Sequence, residues 1–298
     1  MFLTPALVSQ SRRDYPWARD FPADERAPKV SCAQCNLRET CLSGGPLEDR
    51  ARVENIVYAR RRVKRDECLI AAGDKFNSIY AIRSGFFKTA IADQEGREQV
   101  TGFFMGGELL GIDGLGDGRC QGNAIALENS EVCVMPYSLI QEVARDVPSL
   151  QRRLHTLIAR EIVRDHGIML LLGSMGAEER LATFLINLSQ RYRHRGYSGA
   201  DFVLRMTRDE IGSYLGLRLE TVSRVFSSFH KKGLIEVQQK RVRIADLAGL
   251  ERVLAPGEAS AGKSSRAAGA DHTTEHLQGC HRSTHDRTAS ADRLRVAA

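Results

Sequence analysis

Residues 207–231, TRDEIGSYLGLRLETVSRVFSSFHK, carry the reading that decides the fold. Thr207 and Glu210 have the spacing of a capping box. The Thr207 hydroxyl can accept from the Glu210 amide while the Glu210 carboxylate reaches back to the Thr207 amide. The pattern predicts a short helix to Leu215, a turn at Gly216, and a second helix over 219–231 with Val222, Val225, Phe226 and Phe229 on its inner face. This is helix-turn-helix spacing, in which the first residues of the second helix lie against base edges in the major groove. The outward residues there are Arg218, Glu220, Thr221, Ser223 and Arg224. An arginine can bond guanine O6 and N7 together, a glutamate can accept from cytosine N4, and a serine bonds either way. Residues 234–237 and 242–244 then alternate around 238–240, which predicts a two-stranded wing with basic residues. Spacing alone also suits an ordinary helical hairpin with a charged face.

Upstream, residues 57–136 break into short apolar runs: Ser78-Ile79-Tyr80-Ala81-Ile82, then 86–91, 100–104 and 125–134. They are separated by Gly73, Gly85, Gly96 and Gly106-Gly107, the pattern of a β-barrel or sandwich. After Pro136 the period changes. Leu154, Leu157, Ile158, Ile162, Ile168, Met169 and Leu172 recur at three and four, which predicts a long amphipathic helix with one coiled-coil-like seam. A further helix from about Ala177 ends near Gly196. The chain thus reads as α+β: an irregular arm (1–31), a cysteine-bearing segment and β-rich unit (32–148), a long helix (149–175), a winged helix-turn-helix (176–250) and a tail (256–298) with the composition of disorder. His272, His276, Cys280, His281 and His285 in that tail read as a solvated, histidine-rich stretch.

The 298 residues carry 43 Lys plus Arg against 37 Asp plus Glu, so the net charge of +6 permits an acidic polymer as partner without identifying one. No apolar run is long enough for a membrane span, and residues 1–10 lack the basic start and apolar core of a signal peptide, so a cytoplasmic location is expected. Thiols stay reduced in that compartment, and an odd count of 7 cysteines argues further against a disulfide framework. Three of them are clustered. Cys32, Cys35 and Cys41 fall within ten positions, close enough to share a metal centre if a fourth ligand arrives. Thiolate sulfur suits tetrahedral zinc or an iron–sulfur cluster, and the spacing does not choose between them. Cys68, Cys120 and Cys133 are all candidates for the fourth ligand. No Ser-His-Asp, paired-carboxylate or phosphate-loop constellation stands out, so an enzyme is not expected.

Several motifs together carry a family resemblance. Ala177-Glu178-Glu179-Arg180-Leu181-Ala182, the 207–217 segment, Tyr80-Ala81-Ile82-Arg83-Ser84-Gly85 and, most specifically, Glu220-Thr221-Val222-Ser223-Arg224 resemble the fumarate and nitrate reduction regulators. These form the FNR branch of the cyclic-AMP receptor protein (CRP) superfamily. The likeness runs from about Cys32 to Asp246 and implies a cyclic-nucleotide-binding-like β-barrel, a long dimerisation helix and a carboxy-terminal winged helix-turn-helix. It gives Glu220, Ser223 and Arg224 the reading of a TTGAT-like half-site. It also makes Cys133, which lies 92 residues beyond Cys41 in a segment similar to the family's distant cluster cysteine, the expected fourth ligand of an oxygen-labile 4Fe-4S cluster with Cys32, Cys35 and Cys41. Cys68, Cys120 and Cys280 remain unassigned.

On the seam, Ile162 and Met169 flank Asp165, where the resemblance places an acidic brake on a homodimer. Family members contact RNA polymerase through barrel loops, which points to Ser84-Gly85 and residues 93–96. The CRP branch holds its nucleotide phosphate with an Arg-Ser pair beyond the Gly-Glu-Leu turn. Here Gly107-Glu108-Leu109 is followed by Arg119-Cys120-Gln121, so no cyclic nucleotide is expected. The alternative is a regulator of the same fold whose cysteines hold structural zinc or react directly with oxidants.

Overall fold

The structure, a computed structural model, describes Cys32, residues 35–93 and residues 95–254. The expected arm, the expected disordered tail and the tail's histidines and Cys280 lie outside the described residues.

A short helical passage with α1 (Arg50–Val53) follows the cysteine segment and leads into eight strands. These are β1 (Ala59–Val63), β2 (Cys68–Ile70), β3 (Ser78–Ser84), β4 (Phe86–Ala92), β5 (Glu98–Met105), β6 (Leu109–Leu110), β7 (Asn123–Ala126) and β8 (Ser130–Pro136). They form two antiparallel four-stranded sheets, ordered β1-β8-β3-β6 and β2-β7-β4-β5. Alternation along the strands sends Val63, Ile82, Val132, Phe87, Phe104 and Ala126 into one core between the sheets. Where the sequence suggests one run over 125–134, the chain makes two strands in different sheets. The corner at 127–129 is held by polar groups: the Arg65 amide donates to the Asn129 side chain at 3.0 Å, and the Ser130 hydroxyl to the Glu128 carbonyl at 2.7 Å.

The outer face of the first sheet supports a second core. Ile79, Ala81 and Met135 of β3 and β8 meet Ile140 of α2 (Tyr137–Asp146) and Leu150 and Leu154 of α3 (Pro148–Ser174). Proline at the first position of α3 suits a helix start, because its missing N–H has no intrahelical partner there. The helix ends as Met175 turns extended. Next come α4 (Ala177–His194), β9 (Asp201–Val203), α5 (Arg208–Leu215), α6 (Leu219–Lys231), β10 (Ile235–Gln238), β11 (Arg241–Ile244) and α7 (Leu247–Val253). The wing has a third strand, because β9 pairs with β11. Helix α7 runs past residue 250. Asp246 caps it by accepting the Gly249 amide at 2.8 Å, and Leu250 is fully buried.

Candidate nucleic-acid interface and cysteine centre

Local chemistry builds the two helices of the reading head. The Glu210 amide donates to the Thr207 hydroxyl at 3.1 Å, and the Thr207 amide donates to the Glu210 carboxylate at 2.7 Å, so both halves of the capping box form. Gly216 takes a left-handed φ of +61°, which glycine adopts without steric cost. A side chain at Gly212 would meet the Leu217 carbonyl at 2.6 Å, so the turn closes only over glycine there. Val222, Val225, Phe226 and Phe229 are buried, which leaves Arg218, Glu220, Ser223 and Arg224 exposed and Thr221 half-buried at the start of α6. Arg224 donates to the Thr221 hydroxyl at 3.2 Å, which holds its guanidinium near the helix start. Ser223, Arg224, Ser227, Ser228, Lys231 and Lys232 line a groove along the exposed side. The wing is less basic in effect than its sequence suggests. Arg241 pairs with Asp201 at 2.7 Å and Arg243 with Glu236, so two of its cations are already partnered.

The cysteines are brought together by the first sheet. In β8, Val132 and Val134 point into the barrel, so Cys133 projects from the opposite face, beside Met135. There it joins the core that holds buried Cys32 and half-buried Cys41, and the charges of Cys41, Cys32 and Cys35 are all felt at its sulfur. Burial, reinforced by those neighbours, pushes the Cys133 thiol up to about 12; Arg60, opposite it in β1, acts the other way. Burial likewise raises Cys32 to about 11, against a hydrogen bond from Ser43, and lifts Cys41. As free thiols these groups therefore keep their protons at neutral pH, and a metal must displace protons to bind. Cys120 is buried in the core between the sheets, where burial and the charges of Asp113 and Asp74 raise it, away from the other three. Cys68 is exposed on β2. Among the described residues no three Cys, His, Asp or Glu side chains converge as a single ion requires. A four-iron cubane asks for less convergence, since each thiolate binds its own iron. Cys32, Cys41 and Cys133 share one core, and Cys35 is near enough for its charge to be felt at Cys133, a soft donor set of the kind that group takes.

Two domains of known type match the chain: a cyclic nucleotide-binding domain over residues 60–146 and a Crp-like helix-turn-helix domain over residues 179–253. The transcriptional regulatory protein btr of Bordetella pertussis is 44% identical over 224 residues, 75% of this chain and 93% of that one. The transcriptional activator protein anr of Pseudomonas aeruginosa is 44% identical over 220 residues, 74% and 90% of the two chains. The fumarate and nitrate reduction regulatory protein of Escherichia coli K12 is 38% identical over 233 residues, 76% and 93%. The chain belongs to the CRP/FNR family of transcription regulators. In fold, FixK2 from Bradyrhizobium japonicum superimposes with a TM-score of 0.61 at 26% identity, covering 67% of this chain and 98% of that one. The relatives are named as transcription regulators, and the helix-turn-helix match gives this chain a DNA-binding domain at residues 179–253. No helix among the described residues is long and apolar enough to cross a membrane.

Within this CRP/FNR regulator the turn at 106–108 has an unexpected employment. Glu108 accepts from Arg191 at 2.6 Å and from Arg195 at 2.6 Å, both on the helix-turn-helix side. Arg195 also donates to the Gly106 carbonyl at 2.6 Å, and Arg191 to the Phe103 carbonyl at 2.7 Å. Burial would raise the Glu108 carboxyl, but Arg191, Arg195 and Arg164 outweigh it and bring it down to about 2. Around this cluster, Phe103 of β5 packs against Phe184 of α4 and Tyr214 of α5, with ring centroids 5.1–6.0 Å apart. Lys88 of β4 reaches Glu210 at 3.1 Å, and the Val100 amide donates to Ser213 at 2.8 Å. The reading head is thus docked on its own barrel. Sequence reasoning missed these arginines, because nothing in the spacing of Arg191 and Arg195 ties them to a turn more than 80 positions earlier. Arg119 donates to the Gly73 carbonyl at 2.8 Å.

Along α3, Leu150, Leu154 and Leu171 are buried, while Ile162 and Met169 are 51% and 68% exposed, with Asp165 exposed between them. Arg164, next to Asp165 in the chain, turns inward. It pairs with Glu161 and lies 4.2 Å from the centre of the Phe104 ring. An exposed apolar stripe at three-and-four spacing with one carboxylate inside it is therefore left on the helix surface.

Proposed function

We propose that this regulator responds to oxygen through a 4Fe-4S cluster held by Cys32, Cys35, Cys41 and Cys133. The observation that carries the reading is the outward placement of Cys133, on the sheet face where the amino-terminal cysteines lie, with Cys120 enclosed elsewhere. When bound, the cluster would supply an oxygen-labile tie between the amino-terminal segment and β8. The four cysteines would give up their protons and hold that segment against the sheet. Arg60, the register partner of Cys133, would offset part of the thiolate charge.

Ile162 and Met169 would then meet their counterparts in a second copy, with Asp165 opposing the association because two like charges come together on the seam. Two-fold pairing would set the two α6 helices on successive major grooves of a TTGAT-like palindrome, with Glu220, Ser223 and Arg224 reading bases and Arg218 and Thr221 alongside. Glu108 is committed to Arg191 and Arg195, and Arg119 to a backbone carbonyl, which supports a chain that takes no cyclic nucleotide. RNA polymerase is the proposed second partner, through Ser84-Gly85 and residues 93–96.

The test is anaerobic purification followed by absorption spectroscopy and iron and labile-sulfide assays. Iron and sulfide in equal amounts, lost on exposure to air together with specific DNA binding, are the expected result. Zinc without sulfide, or DNA binding indifferent to air, would reject the reading.

A further inference from the structure

An arginine of the long helix reaches the cysteine segment. Arg153, on the second turn of α3, donates from Nε to the Cys41 carbonyl at 3.2 Å and from Nη2 to the Glu39 carbonyl. The approach is close. A side chain at Gly44 would come within 3.1 Å of the Arg153 guanidinium and 2.5 Å of the Arg38 carbonyl, so the backbone here closes around the guanidinium only because residue 44 is glycine. The loop it holds is a compact turn, with the Cys41 amide donating to the Leu37 carbonyl at 3.0 Å and the Gly44 amide to the Cys41 carbonyl at 3.0 Å. A second tie, from the Ser149 hydroxyl to the Asp49 carboxylate, joins the start of α3 to the chain just beyond the cysteines.

Arg153 and Asp165 stand on one uninterrupted helix. No glycine or proline occurs between residues 149 and 166, and the twelve steps from residue 153 to residue 165 span roughly 18 Å at the α-helical rise. A displacement imposed at Arg153 therefore reaches the exposed seam as movement of a rigid rod and is not absorbed by a kink. The planar guanidinium suits this work. Its fork binds two carbonyls of one turn at once and fixes both the distance and the orientation of the loop against the helix.

We infer that Arg153 is the positioning residue that couples the state of the cysteine segment to the dimer seam: it grips the turn carrying Cys41 and passes that turn's position along α3 to Ile162, Asp165 and Met169. This rests on the cluster reading above. It adds a polar grip on the turn, beside the apolar core in which Cys32 and Cys41 already pack with Leu150 and Leu154 of α3.

The two ideas separate in one experiment on the full chain. Dimerisation constants are measured by sedimentation, anaerobically, for cluster-loaded and cluster-free protein, in the natural chain and in Arg153→Met, with iron and sulfide assayed on each sample. A merely structural arginine would shift both forms alike and leave their ratio intact. Coupling through Arg153 predicts unchanged iron and sulfide per chain and a loaded-to-free ratio lower by about tenfold, the factor at the low end for one charge-assisted hydrogen bond. An unchanged ratio overturns the inference. So does loss of iron and sulfide in the variant, which would make Arg153 part of cluster assembly. Should Arg153→Met not fold, Arg153→Lys keeps the charge without the fork; a ratio lowered about threefold is then expected, and an unchanged one overturns the inference. If the natural chain itself loads no iron or sulfide, the cluster reading fails and the coupling fails with it.

Discussion

Replacing Glu108 by Gln removes the negative charge from a site where two guanidinium groups are held out of water. The side chains of Arg191 and Arg195 are 11% and 6% exposed and that of Glu108 is 21% exposed, so solvent does little to screen the group. Its carboxyl lies at about 2 in place of the ordinary 4.5, which converts to roughly 3 kcal/mol of folded-state stabilisation at about 1.4 kcal/mol per pH unit. That size agrees with the ~3–5 kcal/mol lost when one partner of a buried ion pair is removed. The stabilisation is complete above pH 4.5 and declines as pH falls towards 2, because the folded protein resists a proton that the unfolded chain accepts. Urea unfolding followed by circular dichroism should therefore place Glu108→Gln about 3 kcal/mol below the natural chain at pH 7. The gap should narrow to roughly 1.4 kcal/mol at pH 3. A variant within about 0.5 kcal/mol of the natural chain at pH 7, typical of a surface change, would refute the reasoning. So would a gap of constant size between pH 5 and pH 3, because the difference would then come from packing and not from charge.

Three further outcomes are expected. Asp165→Ala should sediment as a dimer and bind DNA in air, and an aerobic monomer would show that the brake lies elsewhere. In anaerobically purified protein, Cys133→Ala should lose iron and labile sulfide while Cys120→Ala keeps them; the reverse would reject the ligand set. Arg224→Ala should cost about 1–3 kcal/mol of discrimination between a TTGAT-containing duplex and a scrambled one at fixed salt, read by fluorescence anisotropy. An equal loss on both duplexes would assign Arg224 to phosphate contact and remove it from base reading.

The reading head was legible residue by residue. Its capping box, its turn glycine and the four buried apolar positions of α6 act over a few residues, and all appear as expected. The long helix was legible as a helix, but its expected single seam divides: Leu154 is buried in the core on β3 and β8, whereas Ile162 and Met169 are exposed. The barrel was legible as a set of strands but not as a pairing. The run over 125–134 looked continuous because apolar character says nothing about a change of sheet, and the break depends on polar bonds from Arg65 and Ser130. The wing's charge was overestimated for a related reason. Arg241 is partnered by Asp201, forty positions away, and no local pattern announces that pair.

From sequence alone, the family resemblance, the outward residues at the start of α6 and the presence of a cysteine-rich segment could be read, because each depends on residue type at short spacing. Alternation on β8 showed that Cys133 opposes Val132 and Val134, but not which of the two faces lies inside the barrel. The tertiary structure decided that, by placing Cys133 with Cys32 and Cys41 and enclosing Cys120 between the sheets. It also decided what Glu108 and Arg153 touch. Each is an ordinary charged residue in its own segment, and these partners lie more than eighty positions away, brought within hydrogen-bonding distance only when the barrel, the long helix and the reading head pack together.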